Sequence, residues 1–190
     1  MVIFLDCDWT IFDAQRFIDY MNAHENDITA LLEKDPQAPL ASWLYADVVD
    51  FCIAARGKGY KIVILSMARN IEGQIAKIRA TGIAAYVDDI VVVPGEKSTA
   101  AGDWLKEHNE RPNGHYFIDD APLFLNDMKR THPGIWCIRM ERTALLPSQE
   151  SIAAVDLSDR TITSLDELRG ILGLEVYEEE TAEHQSPPLA

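Results

Sequence analysis

Residues 3 to 13 read Ile-Phe-Leu-Asp-Cys-Asp-Trp-Thr-Ile-Phe-Asp, "IFLDCDWTIFD". An apolar run stops abruptly in two carboxylates, Asp6 and Asp8, with Trp9 directly after them. The run is short, rich in β-branched and aromatic residues, and does not alternate with polar ones. That pattern marks a parallel strand covered on both faces. Four later runs read the same way: "KIVILS" (61–66), "DDIVVV" (88–93), "HYFID" (115–119) and "IWCIRM" (135–140). Helical spacings lie between them. Leu44, Val48, Phe51 and Ala55 form one stripe, stopped by Gly57 and Gly59. Ile71, Ile75 and Ile78 form another, with Asn70 as N-cap and Gly82 as the stop. Ala101, Leu105 and His108 follow, then Phe124 and Met128 behind Pro122 in a first helical turn. Ser164 and Glu167 have capping-box spacing ahead of Leu165, Leu168 and Leu172.

Strand–helix alternation predicts an α/β fold: a doubly wound parallel sheet of about five strands with helices on both faces. One interval exceeds a simple crossover. Residues 14–42 are surplus, and "AQRFIDYMNAHE" and "NDITALLEKD", closed by "PQAP", read as a small helical insert over the sheet edge. The domain is expected over 1–173. Residues 174–190, with Glu175, Glu178, Glu179, Glu180 and Glu183 and no Lys or Arg, read as an acidic disordered tail or an acidic docking peptide.

The net charge of −14 argues against polymeric nucleic acid as a partner, since that needs a basic face. A small anionic substrate held through a cation stays compatible with it. Three cysteines without Cys-x-x-Cys spacing give neither a disulfide framework nor a zinc site. The start of the chain has no basic n-region, and no apolar run is long enough to span a membrane. A cytoplasmic protein with no membrane partner is expected.

Doubly wound sheets bind ligands beyond the carboxyl ends of their strands. Asp6, Asp8 and Thr10 stand there after the first strand, Ser66 ends the second, and Asp119 and Asp120 end the fourth. Lys97 opens the helix after the third. Carboxylates clustered without an arginine raise one another's pKa, and a hard divalent cation such as Mg²⁺ relieves that cost. A hydroxyl and an ammonium suit the oxygens of a phosphoryl group. One carboxylate can then attack phosphorus, and another can move the proton.

Taken together, these residues resemble the haloacid dehalogenase (HAD) superfamily over roughly residues 1–140. Asp6-Cys7-Asp8-Trp9-Thr10 matches its Asp-x-Asp-x-Thr motif, and "IVILS" at Ser66 its strand-ending hydroxyl. Lys97 in "PGEKSTAAGDWL" matches its lysine before a helix, and "YFIDD" its terminal acidic pair. The resemblance implies a Rossmann-like, magnesium-dependent phosphohydrolase that cleaves a phosphate monoester through an aspartyl-phosphate. It makes Asp6 nucleophile and metal ligand, and Asp8 general acid/base with its backbone carbonyl on the metal. Asp119 and Asp120 become metal ligands, and Ser66, Lys97 and Thr10 bind the phosphate. The second acid, Asp8, points to the phosphatase branch, because the dehalogenases lack it and need no magnesium. The substrate is expected to be a phosphorylated small molecule, nucleotides included.

Plainer readings exist for single residues. Asp6 and Asp8 could cap a turn, Asp119 and Asp120 a helix N-terminus, and Lys97 and Arg69 could be solvated. Arg69 is otherwise a candidate contact to a second anionic group, and Cys7 reads as a small core residue. Trp9 stands where many HAD proteins have glycine. It is expected either to pack on the insert or to form a wall for a ring-bearing substrate. A phosphotransferase or phosphomutase shares the same intermediate. A phosphoacceptor module or a non-catalytic binding domain are the rivals of another class.

Overall fold

The computed structural model describes residues 1–23, 28–35, 38–142 and 155–174. The opening apolar run forms β1 (Val2–Leu5), and all four of its residues are buried. It pairs in parallel with β2 (Lys61–Met67) on one side, Val2 opposite Lys61, and with β4 (His115–Asp119) on the other, Ile3 opposite Tyr116. Beyond β2 lies β3 (Asp89–Val93), and beyond β4 lie β5 (Ile135–Met140) and β6 (Arg160–Ile162). The sheet is parallel throughout, in the order β3-β2-β1-β4-β5-β6. The five expected strands are present within a residue or two. The sixth escaped the pattern because it is three residues long and only Ile162 is buried.

Alternation along each strand sorts the core into two layers. Ile3, Leu5, Ile62, Ile64 and Ile118 face a layer built with α3 (Val48–Gly57), α4 (Ile71–Ala80) and α7 (Leu165–Leu172). Phe4, Val63, Leu65 and Phe117 face the opposite layer, under α5 (Lys97–Glu107) and α6 (Pro122–Thr131). The local signals act as the sequence indicates. Asn70 Oδ1 accepts from Gly73 N at 2.9 Å, Gly82 takes φ +78°, and Ser164 accepts from Glu167 N at 3.2 Å. Among the described residues no helix is long and apolar enough to cross a membrane.

The surplus segment forms α1 (Ala14–Ala23), α2 (Ile28–Lys34) and a 3₁₀ turn (Pro39–Trp43). Met21, Ile28, Leu31 and Leu40 bury into the layer of α3 and α4. Phe12, Phe17, Tyr20 and Trp43 lock it with edge-to-face ring contacts of 5.1 to 6.4 Å. Pro36 and Gln37 of the expected closing turn, and 175–190 of the expected tail, lie outside the described residues. Leu174, assigned to the tail from sequence, is instead a buried core residue behind α7, because the left-handed Gly173 turns the chain back.

Candidate active site

The sheet order reverses at β1, whose neighbours continue in opposite directions through the chain. Doubly wound sheets open a crevice at such a switch point. There Asp6 follows directly after β1, and its N–H donates to Ile118 O at 2.9 Å. The β1–β4 ladder thus runs one residue past the strand and fixes the Asp6 backbone. Asp119 ends β4, and its Oδ1 accepts from Ala121 N at 2.8 Å, which orients the carboxylate at the start of α6. Ser66 lies near the end of β2, and Lys97 is the first residue of α5. Asp6, Asp8, Ser66, Lys97, Asp119 and Asp120 line one pocket of about 160 Å³.

Charge dominates its floor. One oxygen each of Asp6, Asp119 and Asp120 lies within 4.8 Å of the others. Lys97, only 2% exposed, sets its ammonium 2.5 Å from Asp6 Oδ1 and 2.7 Å from Asp119 Oδ2. One ammonium among three carboxylates leaves the floor anionic. Burial, together with Asp119 and Asp8, pushes the Asp6 carboxyl up to about 7 against the pull of Lys97. Burial, Asp6 and Asp119 push Asp120 up to about 8. The Lys97 pKa is also raised: burial opposes its charge, but Asp119 and Asp6 outweigh burial. An all-oxygen donor set that is short of positive charge fits a hard divalent cation of the magnesium type.

Asp8 is built differently. Its carboxylate is not gathered with the other three. It turns to α4, where Lys77 Nζ lies 2.5 Å from Oδ1 and Gln74 Nε2 donates to Oδ2 at 3.0 Å. Gln74 Nε2 also donates to Ser66 Oγ at 2.9 Å, so one amide ties the acid to the hydroxyl. The Lys77 ammonium is buried against the Phe12 and Phe17 rings, 5.1 and 5.0 Å from their centroids.

This architecture has close counterparts among solved structures. A haloacid dehalogenase-like hydrolase of Burkholderia xenovorans superposes with a TM-score of 0.71 at 17% identity, over 90% of this chain and 95% of that one. The fold is that of the HAD-like hydrolases. A HAD phosphatase of Thermococcus onnurineus (TM-score 0.64, 17% identity, 92% and 98% covered) shares it. So does the L-2-haloacid dehalogenase of Xanthobacter autotrophicus (0.64, 12%, 90% and 98%). No protein-family model and no curated protein matches the sequence.

Within this HAD-like fold, the remaining residues singled out in the sequence fall into different places. Trp9 lines the pocket with φ +62°, in the left-handed region. It makes no ring contact with the insert among the described residues. Phe12 makes those contacts. Thr10 is fully buried and does not line the pocket, and its Oγ1 has no hydrogen-bond partner among the described residues. Arg69 is exposed and outside the pocket lining. Cys7 is a buried core residue whose thiol is pushed well up by burial, as the sequence reading has it. Gln74 and Lys77 were missed. The expected stripe of α4 was Ile71, Ile75 and Ile78, yet the buried face is Gly73, Gln74, Lys77 and Ile78. The one available signal was two long polar residues spaced i, i+3 beside a glycine.

Proposed function

We propose that this chain is a magnesium-dependent phosphohydrolase that cleaves phosphate monoesters through an aspartyl-phosphate. The observation that carries this is the buried trio Asp6, Asp119 and Asp120 around Lys97, in a pocket shared with Asp8 and Ser66. Asp6, Asp119 and Asp120, with the Asp8 backbone carbonyl, would hold Mg²⁺. The bound ion supplies positive charge against the phosphoryl oxygens.

The chain's own residues do the rest. Lys97 Nζ and Ser66 Oγ hydrogen-bond the phosphoryl oxygens and align phosphorus with Asp6. The Asp6 carboxylate attacks phosphorus, and the ester oxygen leaves with the proton of the Asp8 carboxyl. The Asp8 carboxylate then takes a proton from water. The oxygen of that water attacks phosphorus, releasing inorganic phosphate and restoring Asp6. Gln74 and Lys77 hold Asp8 in place between its two proton transfers. An acid at position 8 on the pocket wall supports phosphoryl chemistry over halide displacement, which has no leaving alkoxide to protonate.

The experiment is release of phosphate from a panel of phosphate esters, with and without magnesium. Asp6→Asn is expected to lower kcat by more than about a thousandfold, as loss of a nucleophile does. Undiminished, magnesium-dependent turnover by Asp6→Asn would sink the mechanism.

A further inference from the structure

We propose that the substrate carries a single phosphate on an uncharged, ring-bearing alcohol, held by Trp9, Met67 and Phe124. The proposal rests on the phosphoryl-transfer reading for where the phosphate sits. Three observations support it.

The pocket has two kinds of wall. Its floor is the acids, Ser66 and Lys97, and the remainder is Trp9, Met67, Ala121 and Phe124. Met67 ends a buried strand directly after Ser66, yet it is 38% exposed. A thioether and two rings beside the phosphate position suit a flat apolar face.

The backbone at Trp9 is the second observation. At φ +62° any residue with a Cβ is strained where glycine is not. The chain nevertheless holds a large ring there, at the pocket wall and with no ring contact to the insert among the described residues.

Charge supplies the third. The described residues include every Lys and Arg of the sequence, and of these Lys97 alone lines the pocket. Lys97 is paired with Asp6 and Asp119, Lys77 with Asp8, and Arg142 with both oxygens of Asp47. Arg69 lies outside the pocket lining. A second phosphate or a carboxylate on the substrate would therefore meet Asp8 and Asp120 without a cation of its own. Bisphosphates, nucleoside polyphosphates and phosphorylated acids are disfavoured.

The test is binding of methylphosphonate, benzylphosphonate and phosphonoacetate to the full chain with magnesium, by calorimetry. Benzylphosphonate is expected to bind about tenfold more tightly than methylphosphonate, the scale of one ring stacked on an indole. Phosphonoacetate should bind no more tightly than methylphosphonate. Trp9→Gly and Met67→Ala should each cut the benzyl-to-methyl ratio to about threefold or less. Met67→Ala, at a part-exposed site, keeps the test decisive if Trp9→Gly fails to fold. Equal affinity for the methyl and benzyl compounds overturns the proposal. So does tightest binding of phosphonoacetate, whose loss in Arg69→Ala would identify Arg69 as the anion contact. The expected order of affinities with no ester hydrolysed defeats the phosphohydrolase reading and leaves the ring site standing. No binding of any phosphonate defeats both.

Discussion

At Trp9 the usual ranking of small residues should invert. Alanine normally outperforms glycine where φ is negative, but at φ +62° its Cβ is the strained group. Trp9→Gly should therefore be more stable than Trp9→Ala by about 1 kcal/mol, read from urea unfolding midpoints. The acids make a second prediction at this scale. Asp6 and Asp120 have folded pKa values near 7 and near 8, well above the ordinary 3.8. A carboxyl raised by folding favours the folded state while protonated. That contribution is full below about pH 4 and is lost as pH rises through 7 to 8. The metal-free protein should thus lose stability between about pH 4 and 8. If the trio holds magnesium, the gain in Tm on adding it should be larger near pH 8 than near pH 5.5, by several degrees in a thermal melt. An equal gain at both values would mean that magnesium is not bound by these acids.

At the scale of elements, α4 carries the least expected result. Its inward face presents Gln74 and Lys77 to Asp8 and Ser66, and its isoleucines at 71 and 75 are only partly buried. Lys77→Met keeps an apolar side chain of similar length beside Phe12 and Phe17 and removes the charge that holds Asp8. Asp8 is 32% exposed and can be rehydrated, so the fold should survive. The expected loss is about 10- to 100-fold in kcat, part of what general acid–base catalysis contributes. It should be larger for alkyl than for nitrophenyl phosphates, because only the former need a strong proton donor. A uniform loss across leaving groups would assign Lys77 to structure alone. The sequence made the strands and their terminal acids legible because parallel strands are unbroken apolar runs whose ends are abrupt. Gln74 and Lys77 were hidden because their partner is 66 to 69 residues away and helical periodicity favoured the isoleucines. Trp9 was half legible: the break from glycine was visible, but only the φ angle shows that its backbone is left-handed. Thr10 was placed at the rim by its motif, yet its side chain is buried.

Across the whole molecule, Arg142 joins distant parts of the chain. It donates to Thr10 O at 3.0 Å, pairs with Asp47 through both oxygens at 2.6 and 2.8 Å, and stacks 4.3 Å from the Tyr45 ring centroid. Asp47 also accepts from Leu165 N at 2.7 Å, which fastens the start of α7. Both side chains are nearly buried, so Arg142→Ala leaves the Asp47 carboxylate without its cation and frees the Thr10 carbonyl. It should cost about 3 to 5 kcal/mol in urea unfolding. Loss of under about 1 kcal/mol would show the pair to be a surface contact in solution.

The central position of β1 has a consequence for how the molecule is made. Its four apolar residues lie at the very front of the described chain, but its two ladders run to β2 and β4. During synthesis, Val2–Leu5 must stay unpaired until residues 61–67 emerge, and half-paired until 115–119 follow. Such long-range pairing makes folding slow and leaves an adhesive strand exposed meanwhile. Soluble yield should therefore depend on chaperone supply and growth temperature more steeply than equilibrium stability alone would suggest.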